Sequence, residues 1–151
     1  MTSEPIAEAN IRIRPMEPED IDPVLAIDRK ITGVRRAITY TDLITGDLGG
    51  VLGVSFVAEV SGQVAGFILA RHALVEEPVV EIGLIQILGV DPDYQRQGIA
   101  TKLVSALLER CHSKGLKTVR TMVNERDSQL QGFFQHLGFR RGQLIEYSKT
   151  M

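Results

Sequence analysis

The chain has little from which to build a covalent or metallic scaffold. Its 151 residues include one cysteine, Cys111, and three histidines. A single thiol excludes an internal disulfide, and the scattered His and Cys positions lack the short spacings of a metal site, so no metal is expected. Charge of one sign is also lacking: 17 Lys and Arg against 19 Asp and Glu leave a formal net charge of −2. That argues against a nucleic-acid binder, where a strongly basic domain is expected. The apolar runs are only strand-length, so none is expected to span a membrane. The first residues, to about Glu8, are polar and acidic, without the apolar stretch of a secretory signal. Together these absences predict a soluble, cytoplasmic protein. No Gly-x-x-x-x-Gly-Lys-Ser/Thr run occurs, which counts against a nucleotide-binding module. What remains is ordinary, 44% apolar and 24% charged, and long enough for one domain with a real core. Residues 1–10 read as a flexible N-terminus and 11–151 as a single domain.

Against that background one stretch organises the rest, from Glu81 to Ser113. Ile82 to Val90 is apolar at even and odd positions alike (Leu84, Ile85, Ile87, Leu88). A strand wetted on one face would alternate, so this one is expected to be central and covered on both faces. Asp91-Pro92-Asp93 stops it, because proline removes a ladder donor and restrains the residue before it. Tyr94 to Gln97 is a polar loop. From Gly98 onward Ile99, Leu103, Ala106 and Leu107 fall on one helical face, with Val104 and Leu108 alongside. Strand, glycine-bearing loop and helix in that order can make an anion site. The first N–H groups of a helix lack intrahelical acceptors, and the helix dipole adds partial positive charge there. Gly98 has no Cβ to hold a phosphate off the backbone, and Arg96 adds a guanidinium. An ordinary strand–turn–helix connection with a surface arginine has the same composition, so these residues alone leave both readings open.

The remaining elements follow in order. Ile11-Arg12-Ile13-Arg14 alternates and is stopped by Pro15, predicting a first strand. Pro18-Glu19-Asp20 starts a helix to about Ile31, with Ile21, Val24, Leu25 and Ile27 as its stripe. Thr32 to Gly53 is the least readable part. There Thr41 suits the cap of a short helix through Leu43-Ile44, ended by Gly49-Gly50. Arg35-Arg36 is either a substrate-side basic pair or solvated surface. Val54–Val60 and Gln63–Leu74 read as strands joined by a tight Ser61-Gly62 turn. With a break at Glu76-Glu77-Pro78 and the next strand they predict an antiparallel meander. The helix from Gly98, ended by Gly115, then crosses over to a parallel strand at Lys117–Asn124. Asp127-Ser128 caps a last helix with Leu130, Phe133, Phe134 and Leu137 as its stripe, stopped by Gly138. Phe139 and Leu144–Ser148 are expected as short closing strands.

Two groups of residues in this frame resemble a known family. Gln95-Arg96-Gln97-Gly98-Ile99-Ala100 is similar to the Gln/Arg-x-x-Gly-x-Gly/Ala loop of the GNAT superfamily of acyl-CoA-dependent N-acetyltransferases. Phe133-Phe134-Gln135-His136-Leu137-Gly138-Phe139 resembles its second signature, a helix ending in Gly-Phe, at the separation that family shows. The likeness covers about residues 11–148. It implies an α/β (α+β) fold with a mixed, mostly antiparallel sheet flanked by helices, whose parallel pair splays apart for CoA. It also implies direct attack of a primary amine, on a small molecule or a protein N-terminus or lysine, on the thioester of acetyl-CoA as co-substrate. By the family pattern the N–H groups across Gln95, Arg96, Gln97, Gly98, Ile99 and Ala100, with Thr101 beside them, hold the pyrophosphate. Leu88, Gly89 and Val90 pair through their backbone with the pantetheine arm, and the Leu88 N–H donates to the thioester oxygen. Asn124 takes over a pantetheine contact, with Asp127 at a position where the family often has Asn. Gly89 suits a close backbone approach or a bulge, and equally a packing glycine. Closing strands and exposed helices often serve for pairing in the family, which leaves room for a homodimer.

Proton management is where the chain departs from the pattern. Deprotonating an ordinary lysine at pH 7 costs about 4.6 kcal/mol, an α-amino group only about 1 kcal/mol. A lysine acceptor therefore needs a strong base; Glu81 at the strand entry is the candidate, through water, or else is a rim charge. Gln86 interrupts an apolar strand and suits orienting the acceptor or such a water. Many family members place a Tyr four residues before the helix-ending glycine to protonate the leaving thiolate. Here that cofactor-side position is Phe134, which has no proton to give, and Tyr147 or His136 is left as the substitute acid. The same departure leaves a non-catalytic acyl-CoA-binding sensor as the alternative.

Overall fold

Residues 10–34, 54–75 and 79–151 are described by the computed structural model of the chain. The helix expected at Thr41–Ile44, its Gly49-Gly50 stop, the Arg35-Arg36 pair and the Glu76–Pro78 break lie outside them. Alternating Ile11–Pro15 forms β1, and a 3-10 turn at Pro18–Asp20 leads into α1, Ile21–Thr32. Strands β2 (Phe56–Val60) and β3 (Gln63–Val75) are joined by Ser61 and Gly62, at φ 51° and 82°. Two residues at positive φ give the turn whose twist matches the strands. The remaining elements are β4 (Val80–Val90), a second 3-10 turn at Pro92–Tyr94, α2 (Ile99–Ser113), β5 (Val119–Thr121) and α3 (Ser128–His136).

The sheet runs β1-β2-β3-β4-β5 and is antiparallel except for its last pair, where Gly83–Ile85 lies parallel to Val119–Thr121. Helix α1 covers one face: Val24 and Ile27 meet Met16, Val57, Phe67 and Leu69. Helix α2 covers the other, setting Ile99, Leu103, Val104, Leu107 and Cys111 against Phe56, Ala58, Ile68, Ala70 and Ile85. Each large apolar side chain fully buried in this way stabilises the fold by about 1.5–3 kcal/mol. Burial rather than propensity therefore fixes both helices. Arg14 ties the first strand to the helix start, donating to both Asp20 oxygens (2.8 and 2.7 Å) and to Glu59 (2.6 Å). The bond to Asp20, above all, raises its pKa further beyond the arginine range.

Three expectations need correction. The middle of the sheet is β3, buried without interruption from Ala65 to Ala70, and β4 is its neighbour. The parallel strand expected over Lys117–Asn124 shortens to Val119–Thr121. The closing strands do not form: Phe139 packs on Phe134 at 5.1 Å between ring centroids, and Arg140 to Met151 is exposed and unpaired. A strand needs an edge to pair with, and the tail meets none among the described residues. None of the described helices is long and apolar enough to cross a membrane.

Candidate active site

The opening of α2 is built to leave backbone donors uncovered. Gly98 is the N-cap at φ +77°, it offers no side chain to cap the helix, and the first turn closes with Lys102 N–H to Gly98 O at 3.1 Å. A Cβ placed on Gly98 would meet nothing within 4 Å, so space lies open beside these amides. Arg96 also sits at positive φ, +64°. Such turns aim successive N–H groups into one concavity, where an anion is favoured. Gln95, Arg96, Gly98 and Thr101 are exposed, Gln97 and Ala100 partly so, and Ile99 is buried as the anchor of the loop.

The entry to that loop is held by a carboxylate that sequence reasoning treated only as a strand stop. Buried Asp91 donates its N–H to Ala65 O (2.7 Å) and accepts the Tyr94 N–H on its carbonyl (2.8 Å). Its side chain accepts the Asp93 N–H at 3.0 Å and Lys30 Nζ at 3.0 Å. Lys30 also reaches Asp93, at 3.4 Å. The hydrogen bond to Asp91 is the main cause of a raised Lys30 pKa. A lysine of α1 thus braces the loop that leads into α2.

The strand before the loop is half released. Leu69 lies opposite Ile87 and Ala70 opposite Ile85, which leaves Gln86 as the extra, exposed residue of a bulge. Strand β5 pairs with β4 only as far as Ile85, where Thr121 Oγ1 donates to Ile85 O at 3.3 Å. Beyond it Gln86–Val90 has no strand partner on that side among the described residues. Leu88 and Val90 lie in this released stretch, paired on the other side with Ile68 and Gly66. Gly89 is a packing glycine: an added Cβ would lie 2.7 Å from the Phe67 ring and 3.3 Å from Ile31 Cδ1. The bulge sits at Gln86 instead.

Other candidates are not brought to this point. Glu81 lies seven residues before Leu88 on the same strand, roughly 20 Å away. Its carboxylate stands instead 3.5 Å from His72 Nε2. A base role for Glu81 through water would have to span that length of strand. Phe134 is 5% exposed, edge-on to Phe133 and Phe139 at 5.1 Å each. Its ring belongs to the core. Tyr147 stands 92% exposed on the unpaired tail, and His136 is exposed at the end of α3. Asn124 and Asp127 share an open depression with Arg126, Ser128 and Gln129. Their acceptors are already engaged: Asn124 Oδ1 takes the Arg126 N–H (2.8 Å), and Asp127 caps α3 through the Leu130 N–H (3.0 Å).

Asp28 was missed. It is 3% exposed on the face of α1 that carries Val24, Ile27 and Ile31. Ile31 touches the Gly89 region, so Asp28 is the buried carboxylate one helical turn from it. A charge four residues after Val24, on a predicted apolar stripe, was the available signal.

Comparison with known proteins agrees with this geometry. The model of the family described as Acetyltransferase (GNAT) matches residues 23–139. A mycothiol acetyltransferase of Thermobispora bispora is 33% identical over 87 residues, 57% of this chain and 30% of that protein. An uncharacterized N-acetyltransferase of Methanocaldococcus jannaschii is 27% identical over 92 residues, 60% and 41% of the two chains. The chain thus spans less than half the length of these two relatives. Among solved structures, AAC(6')-Iy in complex with a CoA bisubstrate analogue superimposes with a TM-score of 0.78 at 20% identity, over 93% of this chain and 99% of that one. A ribosomal-protein-alanine N-acetyltransferase from Brucella melitensis gives 0.75 at 12% identity, over 93% and 99%.

Proposed function

The chain belongs to the GNAT family of acetyltransferases, and from that premise we propose that it moves an acetyl group from acetyl-CoA to a primary amine. One juxtaposition carries the reading: the uncapped mouth of α2 directly follows the strand whose last five residues, Gln86–Val90, are released from β5. The residues fit the co-substrate in kind. Open amides beside Gly98, with Arg96, suit a diphosphate. An unpaired strand edge at Leu88–Val90 suits the amide groups of a pantetheine arm. Asn124 lies at the rim of the neighbouring depression, and among the described residues its side-chain NH2 has no acceptor. The thioester, when bound, supplies an activated acyl carbonyl.

The chain's own residues then bind, orient and polarise. We assign the Leu88 N–H to the acyl oxygen, where a preorganised donor in a dry site lowers the barrier by about 3 kcal/mol. Gln86, exposed at the bulge, is the polar side chain closest along the strand and suits orienting the amine. With Glu81 far up the strand, an acceptor that loses its proton cheaply is favoured. An amine of near-neutral pKa does so for about 1 kcal/mol at pH 7, a lysine for about 4.6 kcal/mol. Asp28 on α1 is assigned the holding of positive charge on the acceptor side. With Phe134 in the core, the thiolate leaves without a phenol from that position.

The test is release of free thiol from acetyl-CoA across polyamines, amino acids, aminoglycosides and N-terminal peptides. Turnover with at least one low-pKa amine is expected. Tight CoA binding with no thiol release from any acceptor would overturn the activity and leave only a binding protein.

A further inference from the structure

Two arginines share one cross-strand row of the sheet. Arg71 of β3 pairs with Leu84 of β4, and Leu84 pairs with Arg120 of β5. Paired residues point to the same face of a sheet, and neighbours along a strand to opposite faces. Ala70, Ile85 and Val119 pack into the larger core under α2, so Arg71, Leu84 and Arg120 point the other way, to the α1 face. On that same face Ile31 of α1 reaches the Gly89 position.

The row is open and carries charge of one sign. Arg71 is exposed and Leu84 partly so. Arg71 has no side-chain hydrogen bond or ion pair among the described residues. Arg120 is half-buried, with Nη1 shielded from solvent, which limits the freedom of its guanidinium. Strands β3, β4 and β5 contain a single acidic residue, Glu81. It lies three positions before Leu84, hence on the opposite face, 3.5 Å from His72 Nε2. No carboxylate of these strands therefore faces the row.

Such a pair suits a carboxylate from outside. Guanidinium groups hold carboxylates through paired, charge-assisted hydrogen bonds. Strands β3 and β5 are two spacings apart, roughly 10 Å, so side chains leaning over Leu84 can bracket one anionic group. Leu84 precedes Leu88 by four residues, at most roughly 13 Å of strand. The arginine side chains shorten that gap to about two or three residue lengths. With acetyl transfer at Leu88 as the premise, we propose that the acceptor carries a carboxylate, held by Arg71 and Arg120, at about that distance from the amine that is acetylated. An acidic side chain near the start of a peptide has this chemistry, and so does the terminal carboxylate of a free tripeptide. Polyamines and aminoglycosides bring like charge to the row and are the poorer acceptors.

The test compares thiol release for Ala-Ala-Glu-amide against Ala-Ala-Gln-amide, and for free Ala-Ala-Ala against its C-terminal amide. In at least one pair the carboxylate member is expected to have a kcat/KM at least about tenfold higher, chiefly through KM. Preference in the first pair points to a protein N-terminus, in the second to a small peptide. Arg71→Gln is expected to remove most of the preference with an unchanged circular dichroism spectrum, because Arg71 is exposed. Arg71→Glu is expected to invert it in favour of Ala-Ala-Arg-amide, which loss of a merely structural side chain does not do. Equal kcat/KM within both pairs, or a preference that survives both Arg71→Gln and Arg120→Gln, would overturn the proposal and leave acetyl transfer standing. Absence of turnover with every acceptor would strike the transfer instead. Calorimetry of the paired peptides on the CoA-saturated protein then decides the carboxylate claim: tighter binding of a carboxylate member, lost in Arg71→Gln, supports it, and equal binding overturns it.

Discussion

A methyl group at Gly83 would sit 2.6 Å from Cys111 Sγ, whereas one at Gly98 would meet nothing within 4 Å. The first glycine is there for packing, the second for backbone conformation and access. Gly83→Ala is therefore expected to lower the unfolding free energy by about 1–3 kcal/mol in urea titration, as overpacking does. CoA affinity of the folded fraction should be retained. Gly98→Val should do the reverse in proportion. It strains the +77° φ by about 1–2 kcal/mol and weakens CoA binding, read by calorimetry, by at least about tenfold, ~1.4 kcal/mol. Phe134→Tyr inserts a hydroxyl into a core position that is 5% exposed. Loss of about 1–3 kcal/mol of stability with no gain in turnover is expected; higher kcat would mean that the ring reaches the thiolate after all. The resemblance names the loop residues and Leu88 from local pattern, and the structure leaves both open to solvent or unpaired on one side among the described residues. At Phe134 the pattern is silent on which way the ring packs, and here it lies in the core.

Helix α1 reaches β4 and the loop before α2 through its last turn, with Ile31 against Gly89 and Lys30 on Asp91 and Asp93. Lys30→Met should raise the CoA dissociation constant and leave the acceptor KM nearly unchanged, while Lys30→Arg keeps affinity. Asp28→Asn should instead raise the acceptor KM with CoA affinity unchanged; steady-state kinetics separate the two. The Lys30 bridge also sets an alkaline limit. Its folded pKa is raised by Asp91, so its contribution is complete below lysine's ordinary 10.5 and is lost as pH climbs through the raised value. Burial raises the Cys111 thiol above its ordinary 9.0, so ionisation of the unfolded chain lowers stability from about there. Melting temperature should therefore fall above pH 9, with Cys111→Ala removing the early part of the decline and Lys30→Met the later part. Element positions were legible where period and punctuation agreed, as at Ser61-Gly62, Asp91-Pro92 and Asp127. They were misread at Leu144–Ser148, where a strand-forming sequence has no edge of its own chain to join.

At the scale of the whole molecule, the meander, the parallel crossover and the two covering helices were all legible in hydrophobic period and turn chemistry. The bulge at Gln86 was not, since a register shift depends on both strands at once. The Lys30–Asp91 brace was equally hidden, because it joins residues 61 positions apart. The fold sets an open strand edge and an open helix mouth in succession, and binding there should stabilise the protein by mass action. At a CoA concentration 100 times its dissociation constant the gain is about 2.7 kcal/mol.

The most direct measurement is backbone amide NMR of the labelled chain during titration with CoA. The largest shifts are expected at Gln97–Thr101 and at Leu88–Val90, saturating together with one affinity and absent in Gly98→Val. Saturable binding that leaves those amides unmoved and shifts a different surface would contradict the assignment of a diphosphate to the mouth of α2.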